Sequence, residues 1–223
     1  MLRPTQLKEY LLCATCEARI KPWEDCVADI SLQEDDRFPA LEATTPFVGK
    51  VGDPLILADA SALDIDKIVR FAVSVIWRAS VSSKVPAVKL GRYADGLAAY
   101  LQDDETPLPE HARLRLELIR PMSDARFDRS VWEPYTHRDD LHLVRVHSFY
   151  WFGMWFHLHV GCEGASMVDL MCLSTERKVA ITDGTHLSQI SATFHAENPP
   201  VGAVATPELL ADFAKLPRCT PKP

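Results

Sequence analysis

Hydrophobic and polar positions change period once along the chain, near residue 112. In SALDIDKIVRFAVSVIWRAS (61–80), placing residues ~100° apart gathers Lys67, Arg70, Ser74 and Arg78 into one narrow arc. Ile68, Val69, Phe71, Val73, Val75, Ile76 and Trp77 fill most of the rest. This predicts a helix buried on most sides, with one basic stripe. Ser61, with Asp64 three residues on, resembles a capping box at its start. RYADGLAAYLQD (92–103) predicts a second helix, ended by the acids and prolines of DDETPLPE.

Beyond residue 112 the period becomes two. Leu114, Leu116 and Leu118 alternate with Arg113, Arg115 and Glu117, the pattern of a half-buried strand. DLHLVRVHSFYW and GMWFHLHVG predict two more strands, with Gly153 at the turn between them, and the Asp-Gly of KVAITDGTHLSQISATF signals a further hairpin. PELLADFAKL (207–216), entered through Thr206 and Pro207, predicts a C-terminal helix. Helices in one block and strands in the next indicate an α+β fold with an antiparallel sheet. The expected organisation is an N-terminal Cys-x-x-Cys unit (1–30), a linker (31–60) and an α+β domain (61–217). Within that domain the helices occupy 61–103, the sheet 112–195 and the last helix 207–216.

Composition narrows the function classes. The chain has 223 residues, 47% of them hydrophobic, enough for a sizeable core. A formal charge of -7 excludes coating nucleic acid by bulk charge, since phosphate neutralisation needs many cations. Only a local basic patch could serve, and the segment 67–94 supplies one: Lys67, Arg70, Arg78, Lys84, Lys89 and Arg92, with no acid among them. The bland alternative is a solvated face, with Asp64–Lys67 and Asp66–Arg70 spaced for helix ion pairs. Six cysteines at 13, 16, 26, 162, 172 and 219 form no regular disulfide framework, which fits a reducing cytoplasm. The most apolar run, FYWFGMWFHLHV (149–160), is shorter than the ~20 residues of a spanning helix, so no membrane partner is expected.

Cys13 and Cys16 have the spacing of half a zinc site; two thiolates need two further ligands to close a tetrahedron. The same spacing serves redox dithiols, which expect a preceding strand in a βαβ setting that the sequence does not show. Cys26 could contribute only if the chain turned back at Pro22; on a continuous helix from Cys16 it would lie more than ~10 Å away. His157 and His159 share one strand face, with His142 and His147 on the expected neighbour, and no Asp or Glu joins that strand. Structural imidazoles are the simpler reading. The rings of Phe149, Tyr150, Trp151, Phe152, Trp155 and Phe156 are either core or a platform for bases or a protein partner. There is no Gly-rich phosphate loop, Ser nucleophile elbow or metalloprotease helix motif, and the catalytic residues, if any exist, are unknown.

LKEYLLCATCEARIKPWEDCVA, together with IDKIVRFAVSVIWRASVS and VKLGRYADGLAAYL, resembles a group of uncharacterised bacterial proteins with an N-terminal HNH-type, treble-clef zinc finger. The resemblance implies that Cys13 and Cys16 are the second zinc knuckle. The group's first knuckle and its histidine-bearing segment have no counterpart after Met1, so the zinc site is incomplete, through truncation or loss. Three functions follow as expectations. The first is a non-catalytic nucleic-acid-associated or regulatory binding protein. The second is a metal-dependent HNH-type endonuclease completed by missing N-terminal residues or a partner. The third is a protein-interaction module or homodimer using the aromatic sheet face.

Overall fold

The computed structural model describes residues 12–49, 55–83, 88–120, 131–139, 144–161 and 172–182. In chain order these form α1 (Ala14–Ile30), α2 (Pro39–Glu42), β1 (Thr45–Val48), β2 (Leu55–Asp59), α3 (Ile65–Val81), α4 (Ala94–Gln102), β3 (Ala112–Ile119), β4 (Val131–Asp139), β5 (Val144–Trp151), β6 (Met154–Val160), α5 (Leu173–Glu176) and β7 (Lys178–Thr182). A 3-10 turn, Gly91–Tyr93, leads into α4. The α+β class expected from the change of period is present. The Asp-Gly hairpin, the helix at 207–216, His142 and Lys84 lie outside the described residues.

The strands form one sheet in the order β1-β2-β7-β3-β6-β5-β4. Every neighbouring pair is antiparallel except β3 and β7, so the sheet is mixed rather than purely antiparallel. β7 follows β6 in the chain yet lies between β2 and β3, parallel to the latter, a placement that a hairpin turn from β6 could not give. Residues 31–60 are more than a linker, because α2, β1 and β2 arise from them and the two strands extend the sheet.

One face of the sheet carries the main core. Leu114, Leu116, Leu118, Phe149, Phe156 and Leu158 are buried there beneath α3. Phe71 of α3 meets Phe149, Trp151 and Phe156 edge to face at 5.7–5.9 Å. The cap of α3 is Asp64 rather than Ser61: the Asp64 carboxylate accepts from the Lys67 amide, whereas Ser61 donates to Asp59. Helix α1 buries Ile20, Trp23 and Val27, an i, i+3, i+7 stripe, and packs along α3. It runs on through Pro22 without turning back.

Between β5 and β6 the chain reverses at Phe152 and Gly153, both with positive φ (38° and 84°), the pattern of a tight hairpin turn. Gly153 is also closely surrounded. An added Cβ would meet the Phe38 ring at 3.0 Å and Leu32 at 3.3 Å.

Candidate functional site

Three groups of residues bear on function: the thiol pair, the cations of 67–92 and the second face of the sheet.

Cys13 is the N-cap of α1 and Cys16 lies in its first turn. Both are exposed, with Sγ atoms 3.5 Å apart. The backbone and thiol of Cys16 hold the Cys13 thiol below its ordinary pKa, while that same hydrogen bond pushes Cys16 up. Cys26 is on the same straight run of helix, ten positions beyond Cys16, hence ~15 Å along its axis. It does not join the pair, and burial pushes its thiol up to about 11. Among the described residues no group of three or more His, Cys, Asp or Glu could hold a metal ion. By itself the pair would offer two of the four ligands that a tetrahedral zinc site needs.

The basic stripe of α3 turns inward. Arg70 is 7% exposed, with its guanidinium between the rings of Trp23 and Tyr100. It donates to the carbonyls of Tyr100, Asp103 and Asp104, closing the end of α4. Arg78 pairs with Glu24 of α1 at 3.0 Å, and Lys67 pairs with Asp64 at 2.7 Å. Arg70 and Arg78 thus fasten α3 to its neighbouring segments. Lys89 and Arg92 differ, being exposed in the segment between α3 and α4. Arg145, at the start of β5, is exposed too, and its Nη1 donates to the Lys89 carbonyl at 3.4 Å. Arg92 lies over the Tyr93 ring, which packs against His111 at 4.7 Å and would touch any side chain added at Gly161. This corner joins three exposed cations with two rings, beside Asp95 in the first turn of α4. Arg145 was hidden from the cation count because it lies far along the chain; the β5–β6 register and the Lys89 contact bring it in.

The second sheet face is polar yet buried. Ser148 opposes His157 across β5 and β6, and Arg115 opposes His157 across β3 and β6. Ser148 Oγ and His157 Nδ1 are 2.8 Å apart, Glu117 Oε1 is 3.6 Å from His157 Nε2, and Glu117 pairs with Arg115. Tyr135 of β4 adds its hydroxyl to Ser148, and burial pushes that phenol up to about 12. Burial, then the charge of Arg115, holds His157 well below its ordinary pKa, so it is neutral. A Ser–His–Glu set has the residue types of acyl-transfer chemistry, but Ser148 is fully buried and Glu117 stands beyond hydrogen-bond distance of His157, so the three form a buried polar cluster. His147 points to the opposite face, opposing Leu158, and burial pushes it down to about 4. The imidazoles thus do not converge as one set.

The aromatic run divides by the same alternation. Phe149 and Phe156 stack at 4.6 Å in the main core, and Tyr150 and Trp155 are buried on the second face with Trp132 and Tyr135. Trp151 and Phe152 are half-buried. Four of the six rings thus pack inside the protein. No helix among the described residues is long and apolar enough to cross a membrane. In comparisons with known proteins, no family model, no curated protein and no solved structure matches the chain.

Proposed function

We propose that this chain is a non-catalytic, nucleic-acid-associated binding protein that contacts phosphates through the corner of Lys89, Arg92 and Arg145. The observation that carries this reading is the approach of Arg145 to the Lys89 backbone, which adds a third exposed cation to Lys89 and Arg92. Tyr93 braces the corner, in contact with both Arg92 and His111. Of the six cations in 67–92, Lys89 and Arg92 carry the proposed contact; Arg70 and Arg78 serve the helix packing. The start of α1 at the Cys-x-x-Cys is the arrangement expected of the second half of a treble clef, and supports the kinship with HNH-type proteins suggested by the sequence.

A site of three cations binds weakly and salt-dependently. Anisotropy titrations of labelled single- and double-stranded DNA and RNA test it. With about three phosphates neutralised, the logarithm of affinity falls with that of salt at a slope of about -2 to -3. Equal binding at low and high salt would remove the electrostatic basis of the reading.

A further inference from the structure

The thiol pair has a chemistry of its own, independent of the basic corner. A disulfide needs Cα atoms ~4.4–6.8 Å apart and sulfurs that close to ~2.05 Å. Residues three apart at the start of a helix stand at about that spacing, and the Cys13 and Cys16 sulfurs are already within 3.5 Å. Both side chains are exposed, so rotation about their Cα–Cβ bonds closes the remaining gap without disturbing the core. The other described cysteines are poorly placed: Cys26 is half-buried farther along α1, and Cys172 is buried.

We propose that Cys13 and Cys16 form a redox-active dithiol that exchanges with low-molecular-weight disulfides, Cys13 attacking and Cys16 resolving. Cys13 gives up its proton, and its thiolate attacks one sulfur of a disulfide RSSR. A Cys13–SR mixed disulfide forms and RS⁻ leaves. Cys16 then gives up its proton and attacks the Cys13 sulfur, forming the Cys13–Cys16 bond and expelling the second RS⁻. The two protons released by the cysteines convert both leaving groups to RSH. Two protein thiols are oxidised and one small disulfide is reduced.

The assignment of roles follows from position. Cys13 is the exposed N-cap residue, ahead of the first helical turn, where a small disulfide can reach its sulfur. Cys16, in the first turn, has its sulfur 3.5 Å from that of Cys13 and is placed to attack it once the mixed disulfide has formed.

The test uses the full chain equilibrated in buffers of reduced and oxidised glutathione, quenched in acid, alkylated and digested with trypsin. The peptide 9–19 contains both cysteines and no other. Its doubly alkylated form should give way to an internal disulfide as oxidised glutathione increases, and return on adding reductant. In C16S the reaction should stop at glutathionylated Cys13; in C13S no internal disulfide forms and Cys16 is modified more slowly. Thermal melts of both variants should match the native chain, since neither side chain packs in the core. The proposal is overturned if the peptide stays doubly alkylated throughout, or if Cys13 pairs with another cysteine. It is equally overturned if purified chain carries zinc on these thiols and oxidises only after chelation.

Discussion

The guanidinium carbon of Arg70 lies 4.3 Å from the centroid of the Tyr100 ring, and its Nη1 donates to the carbonyl of the same residue. One cation thus joins the middle of α3 to the last turn of α4 and satisfies carbonyls that the helix end leaves open. R70M removes these bonds and should destabilise the chain by about 2–4 kcal/mol. R70K should recover little, because one ammonium lacks the planar fork that reaches several carbonyls. Urea unfolding measures both; near-native stability of R70K would show that charge alone suffices.

A side chain at Gly153 should be costly. Its positive φ disfavours other residues, and an added Cβ would press on the Phe38 ring at 3.0 Å. G153A is expected to lose about 1–3 kcal/mol. A Tm equal to that of the native chain would contradict the packing of the β5–β6 turn on residues 32–38.

The cap of α3 gives a smaller, discriminating test. D64A should cost about 1 kcal/mol, and S61A clearly less, since Ser61 caps no helix amide. The reverse order would restore the capping box suggested by the sequence.

His147 and His157 make stability fall in mild acid. Their folded pKa values lie below the ~6.5 of an unfolded histidine. Below that pH the unfolded chain takes up protons that the folded chain refuses, so stability declines as pH falls and is regained as it rises. For His147 the decline extends to about 4. The slope approaches ~1.4 kcal/mol per pH unit for each histidine within its window. H147N and H157N should each reduce it by about one proton in unfolding curves taken between pH 7 and 5. Unchanged slopes in both would show that these imidazoles titrate normally.

The parts of this architecture that follow local periodicity were legible in the sequence. α3, β3, β5, β6 and the turn at Gly153 repeat their patterns over at least one full element. β4 escaped because Pro134 and the irregular register between Trp132 and Tyr135 break its alternation. β1 and β2 are short, and Pro46 in β1 reads as loop, although proline is tolerated on an edge strand. The site was harder to see because its contacts are non-local. The polar stripe of α3 reads as solvent-facing until Tyr100–Asp104 fold over Arg70. Likewise, Glu117 becomes a partner of His157 only through the pairing of β3 with β6.

Charge reversal at the basic corner tests the functional reading most directly. Anisotropy titrations at low salt should compare the native chain, the K89E/R92E/R145E variant and K21E, a reversal on α1 outside the corner. The account predicts that the triple variant loses nearly all measurable affinity for DNA and RNA and its salt slope, while K21E binds like the native chain. Binding by the folded triple variant at native affinity, or none by the native chain itself, would contradict it.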